Sequence, residues 1–386
     1  MKRLRPSVIN CCVVLAGALL CVKFLLGQRE QVRFANPVSR KYHVSLQASY
    51  PGLTDQEIDA LLNESWTLPL AIHPDGSFTV APFHGRFVTV HDAGFREVPD
   101  QGRWPIDRNR YLTIFLFGGS TAFNYGLPDD QTMAAFLQCR LNSTPRPKPV
   151  RVYNFGVGYF SSTQERQRFD MLVRQGAIPD LAIFLDGLND FYYARGDFFN
   201  TASAHWWERA IRRVRLSRLG APLRFIEEHV SAAYIAQRSN GGPKNIVDRL
   251  IAYAVERQYD DPQLLHRAIQ RYLANKTAIE ALAARVGTTP MFIWQPVPTY
   301  KYNLQLHNPF LRDGFGQHTY SLFGYPVMAQ FIKSHPQGNN FVWCADIQSN
   351  TTSPLYIDLV HYSAKFSQLV AECIADNLRI SEAHTT

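Results

Sequence analysis

Five short apolar runs, Tyr111–Phe117, Val150–Asn154, Asp180–Leu185, Pro290–Gln295 and Asn340–Ile347, alternate with stretches of helical periodicity, and that alternation leaves few folds open. The helical stripes are Met133, Phe136 and Leu137; Phe169, Leu172 and Val173; Leu265, Ile269, Tyr272 and Leu273; and Phe366, Leu369, Val370, Cys373 and Ile374. Strands separated by helices predict a parallel sheet covered on both faces. A chain of 386 residues has ample material for that core.

The remainder of the chain divides around this pattern. Lys2, Arg3 and Arg5 precede an apolar stretch, Val8 to Leu20, that resumes after Lys23 with Phe24 to Leu26. Residues 1–27 therefore read as a signal anchor or a signal peptide. No small residues stand at cleavage spacing, which favours the anchor, and the positive flank exports the rest of the chain to the periplasm or extracellular space. Residues 28–108 read as a polar, turn-rich extension with short strand-like runs at Ser77 to Ala81 and Arg86 to Val90. Residues 109–386 carry the sheet pattern, interrupted at about 191–261 by an insertion with Trp206, Trp207 and the basic run Arg209, Arg212, Arg213, Arg215, Arg218. That run reads as a solvated helix face or as a contact for a membrane surface or anionic glycan. The net charge of +8 is spread along the chain and not gathered in a tail, so it gives only weak support for nucleic acid, which is not expected as a partner, and equally allows an anionic membrane or glycan surface.

In an open parallel sheet, ligands bind beyond the carboxyl ends of the strands, so the residues just after each strand are the informative ones. The first strand is followed by Gly118-Gly119-Ser120-Thr121, the second by "NFGVGYFSS" (154–162) and the third by "DGLND" (186–190). The fourth leads into "QPVP" (295–298), and "YIDLVHYS" (356–363) follows the last. A nucleophilic serine needs a base, an acid to orient that base, and donors aimed at the developing oxyanion. Asp358 and His361, three apart, would share one face of a helical turn. Each group also has a plain structural reading: Ser120 and Asn189 as helix caps, Asp358–His361 as a structural pair. No Walker-type phosphate loop occurs, and Gly118-x-Ser120-x-Ala122 only approaches the G-x-S-x-G elbow.

Taken in order, Ser120 in "FGGST", Gly158 in "NFGVGYFSS", Asn189 in "GLND" and Asp358 with His361 in "DLVH" resemble the blocks of the SGNH (GDSL-like) hydrolase superfamily over roughly Leu112 to Leu378. The resemblance implies a three-layer, flavodoxin-like α/β fold with a five-stranded parallel sheet. It implies a serine esterase, or an O-acyltransferase on a surface or exported polysaccharide, acting on an ester-bearing small molecule or acylated glycan. Ser120, His361 and Asp358 would be catalytic; the Ser120 and Gly158 N–H groups and the Asn189 amide would bind the oxyanion. A silent glycan-binding component is the alternative. Two departures stand out: GGST replaces GDS, and Tyr159 stands where many members have glycine, leaving open which N–H of that loop serves.

No metal or organic cofactor is implied, and no Cys/His spacing suits a metal. Cys11, Cys12 and Cys21 lie in the first segment. The odd remainder, Cys139, Cys344 and Cys373, cannot pair completely; Cys139 and Cys373, in helical patterns, read as buried thiols.

Overall fold

The computed structural model describes residues 36–73, 77–196, 251, 254–307, 310–311 and 314–378. The chain divides into two compact units, Met1–Val44 with Ser203–Gly242, and Ser45–Ala202 with Pro243–Thr386. The described part of the first unit is a short helix, Pro37–Tyr42, capped by Asn36, whose side chain accepts from the Ser39 N–H at 2.8 Å. Residues 1–27 and the insertion's tryptophans and arginines lie outside the described residues. Among those described, no helix is long and apolar enough to cross a membrane.

In the second unit, the extension opens with a helix, Asp55–Thr67, that the strand-like reading omits. Its signals are a capping box, in which Thr54 and Glu57 bond reciprocally, and apolar residues Ile58, Leu61 and Leu62 on one face. Two small antiparallel pairs come next, β1 (Leu70–Ile72) with β2 (Phe78–Val80) and β3 (Phe83–His84) with β4 (Thr89–Val90).

The main sheet comprises β5 (Leu112–Gly118), β6 (Val150–Asn154), β7 (Leu181–Asp186), β8 (Thr289–Trp294) and β9 (Phe341–Trp343). All are parallel, in the order β6-β5-β7-β8-β9. This is the flavodoxin-like α/β arrangement expected. β9 is shorter than expected because the chain turns after Trp343, with Ile347 N–H on the Cys344 carbonyl.

Alternation along the strands sends side chains to both faces, and both are covered. Ile114, Leu116, Ile183, Leu185 and Ile293 pack with the helices Met133–Asn142 and Ala364–Asn377. Phe115, Phe117, Phe184 and Phe292 point the other way, against the helices Ser162–Arg174 and Pro262–Val286. Phe117 stacks on Phe184 at 4.9 Å, and Phe184 on Phe292 at 5.4 Å. Each of these rings, once buried, contributes about 1.5–3 kcal/mol. A further helix, Tyr320–Ser334, escapes sequence reading because Pro326 lies inside it.

The cysteine expectation is corrected. Cys373 is not a free thiol: it forms a disulfide with Cys344, tying the end of β9 to the last helix. Cys139 is free but exposed, because Met133, Leu137 and Leu141 turn the inner face of its helix away from it.

Candidate active site

The strand order reverses between β5 and β7, so a crevice opens beyond their carboxyl ends. Ser120 follows one of these strands and Asn189 the other. A Cβ at Gly118 would stand 2.5 Å from Ala122 Cβ, and one at Gly119 would collide with the Asn189 amide nitrogen and sit 3.0 Å from the Phe160 carbonyl. The two glycines therefore let the third-strand loop close against the backbone that leads into Ser120. Gly119 occupies the N-cap position of the one-turn helix Ser120–Phe123, and Ser120 makes no side-chain cap bond. The cap reading of Ser120 fails, and its hydroxyl has no hydrogen-bond partner among the described residues.

Asn189 does not cap its helix either. Its amide donates to the Phe160 carbonyl at 2.7 Å, while Asp190 takes the capping role by accepting from Gly187 N–H at 2.9 Å. The other Asp190 oxygen accepts from the Ser162 hydroxyl at 2.6 Å, clamping the second and third loops together. Within the second loop, Gly156 N–H is consumed by Asn154 Oδ1 at 3.0 Å. The N–H groups of Ser120 and Gly158 donate to no described residue. Tyr159 has φ +72°, a left-handed conformation, which explains why a glycine suits that position.

Asp358 and His361 meet, but not on a helical turn as expected. They sit in a loop closed by a bridge between Tyr356 and Tyr362 and by Ile357 N–H on the His361 carbonyl at 2.9 Å. Asp358 Oδ1 accepts the N–H groups of Val360 and His361 at 2.9 and 2.8 Å, and Oδ2 lies 2.7 Å from His361 Nδ1. A carboxylate only accepts, so Nδ1 carries a proton toward Oδ2 and Nε2 is the ring nitrogen left outside the pair. Burial would raise the Asp358 carboxyl, but the His361 imidazole and these N–H bonds outweigh it and hold the group below the ordinary carboxylate range. His361 Nε2 is buried without a partner, so Ser120 and His361 are not hydrogen-bonded to each other.

Several residues that sequence reading missed position these groups. Gln295 Oε1 accepts from Thr121 at 2.7 Å and lies 2.9 Å from the Tyr362 hydroxyl, joining the serine helix to the histidine loop. Arg96, fully buried, pairs with Asp129 at 2.9 Å and donates to the carbonyls of Phe123, Asn124 and Leu127, fixing the turn after the serine helix. His307 Nε2 donates to the Leu359 carbonyl at 3.0 Å inside the Asp358–His361 loop; burial pushes its pKa down to about 4, so the ring is neutral. Trp66 and Tyr125 flank the His361 ring at 5.4 and 5.8 Å. The capping box ahead of Trp66 is the only one of these signals visible in the sequence.

Near Asp190, burial first and then neighbouring carboxylates raise the Glu165 and Asp186 carboxyls well above their ordinary range, Asp186 and Asp190 acting on Glu165 and Asp190 acting on Asp186. Both Asp186 oxygens and one Glu165 oxygen are buried without a hydrogen-bond partner. Among the described residues, no cluster of His, Cys, Asp and Glu suits a metal ion.

No family model matches the chain, and no curated protein matches it. Solved structures do. A protein described as lipolytic, of the G-D-S-L family, from Desulfitobacterium hafniense is 12% identical, with 69% of this chain and 99% of that chain covered and a TM-score of 0.36. An acetylxylan esterase from Geobacillus stearothermophilus is 13% identical, covering 72% and 98%, with a TM-score of 0.36. A psychrotrophic esterase from Pseudoalteromonas is 13% identical, covering 69% and 96%, with a TM-score of 0.33. Each match spans about seven-tenths of this chain and nearly all of the other.

Proposed function

We propose that the protein is a serine esterase of SGNH type, with Ser120 as nucleophile, His361 as base and Asp358 as its orienting acid. The observation that carries this reading is the pairing of Asp358 with His361 Nδ1, which leaves Nε2 as a buried, unpartnered base on the sheet edge that holds an unpartnered serine. In the reactive state the Ser120 hydroxyl donates to Nε2, the bond both atoms lack at rest.

Ser120 Oγ attacks the ester carbonyl and its proton passes to Nε2. The negative oxygen is received by the N–H groups of Ser120 and Gly158 and by the free hydrogen of the Asn189 amide. Collapse breaks the bond to the alcohol oxygen, which takes the proton from Nε2. Water then repeats the sequence on the acyl-serine and releases the acid; a second alcohol in place of water makes the same chemistry acyl transfer. We further propose that the sheet domain is exported and held at the membrane by residues 1–27; the Cys344–Cys373 disulfide favours an oxidising compartment.

The test is turnover of simple acyl esters by the full-length chain. Ser120→Ala and His361→Ala are each expected to lose about a thousandfold or more in kcat. Turnover that survives Ser120→Ala would dismiss the reading.

A further inference from the structure

The N-terminal extension places a second aromatic ring beside the catalytic base. Trp66 lies near the end of the Asp55–Thr67 helix and meets the His361 imidazole edge-on at 5.4 Å with the planes 82° apart. Leu61, Leu62 and Ser65 on the same helix are fully buried, whereas Trp66 stays half-buried beside a ring whose Nε2 is shut from solvent. Its position is held by polar bonds on either side. Glu64 accepts the N–H groups of Arg86, Phe87 and Val88 at 3.0, 2.9 and 3.2 Å. The Phe87 carbonyl in turn accepts from Asp129, the partner of Arg96. The extension helix is thus tied to the turn that follows the serine helix.

We propose that Trp66 is the wall of the subsite for the alcohol half of the ester and favours alcohols whose carbon frame is a ring. This rests on the serine-esterase reading. The proton held by Nε2 goes to the leaving oxygen, so that oxygen must come within about 3 Å of Nε2. The carbon attached to it then lies against the rings that flank the imidazole. Of the two, Tyr125 is turned toward the oxyanion loop, its hydroxyl 3.0 Å from where a Gly158 Cβ would stand. Trp66 is the ring that remains for the alcohol, and an indole packs well against a flat or cyclic carbon frame.

The experiment compares two ratios of kcat/KM on the full-length protein. Cyclohexyl acetate against ethyl acetate varies the alcohol with the leaving oxygen chemically alike; ethyl butyrate against ethyl acetate varies the acyl group. In Trp66→Ala the alcohol ratio is expected to fall roughly tenfold, the scale of a lost apolar contact in a pocket, with the acyl ratio changed by less than about twofold. Trp66→Phe is expected to recover most of the alcohol ratio, and it carries the test if the alanine variant does not fold. Unmoved ratios, or two ratios that move together, would overturn the proposal while Ser120-dependent turnover persists. Turnover indifferent to Ser120→Ala would instead remove the esterase reading, and the subsite with it.

Discussion

The two halves of the candidate site are held in different ways. Around Ser120 and Asn189 the loops are cross-braced by polar bonds, Asn189 to Phe160, Asp190 to Gly187 and Ser162, Thr121 to Gln295, and Arg96 to one carboxylate and three carbonyls, while the Ser120 hydroxyl and the Ser120 and Gly158 N–H groups donate to no described residue. Around His361 the Asp358 carboxylate takes the imidazole and two backbone N–H groups, His307 donates to the Leu359 carbonyl, and aromatic rings flank the imidazole itself. His361 Nε2, the Tyr50 hydroxyl and His307 Nδ1 are buried there without partners. Directional bonds fix the donors that must meet an oxyanion to within a few tenths of an ångström. Rings beside the base leave its Nε2 unbonded and shape what can approach it.

Four substitutions break or sharpen this contrast. Asp358→Asn strikes the carboxylate–imidazole pair of the histidine half, and kcat is expected to fall by about a thousandfold to ten-thousandfold, since the imidazole loses its tautomer and orientation. Steady-state kinetics on a simple ester reads this; a loss under tenfold would mean the pair is structural. Arg96→Met removes the buried cation from the polar half and should cost about 3–5 kcal/mol in denaturant unfolding, leaving Asp129 and three carbonyls unmatched. Asn189→Ala removes one oxyanion donor, with an expected loss of about a hundredfold to a thousandfold in kcat and little change in KM.

The smallest effect concerns pH. Glu165 and Asp186 have raised pKa values, so the folded state keeps a proton that the unfolded chain releases above about pH 4–5. Stability contributed by that proton is full below this range and is lost as pH rises toward the raised values. Glu165→Gln removes one titrating group while keeping its shape, and denaturant unfolding across pH should show a shallower fall in stability as pH rises above about 5. Asp358 has the opposite sign: its pKa is depressed, and its contribution is lost as pH falls below about 4.

The sheet was legible because both its faces are buried, so strand-length apolar runs and helical stripes repeat without interruption. The site residues were legible for a related reason: each stands where a strand ends, and Ser120, Asn189 and the Asp358–His361 spacing need no distant information. What the sequence hid depends on tertiary approach. Arg96 and Gln295 are polar residues without a local pattern, and only the fold brings their partners to them. Trp66 lies about three hundred residues from His361 along the chain, and the pairing of Cys344 with Cys373 depends on how β9 meets the last helix. The Asp358–His361 turn looked helical because a three-residue spacing suits both a helix and a carboxylate-capped loop.

Covalent labelling reads the activated serine most directly. The full-length protein is treated with a fluorophosphonate probe and the modified residue located by mass spectrometry, with Ser120→Ala and His361→Ala alongside. A single adduct on Ser120, absent in the first variant and slowed at least about a hundredfold in the second, is the expected result. A folded wild-type protein that stays unlabelled, or that is labelled equally without His361, would contradict a Ser120–His361–Asp358 site.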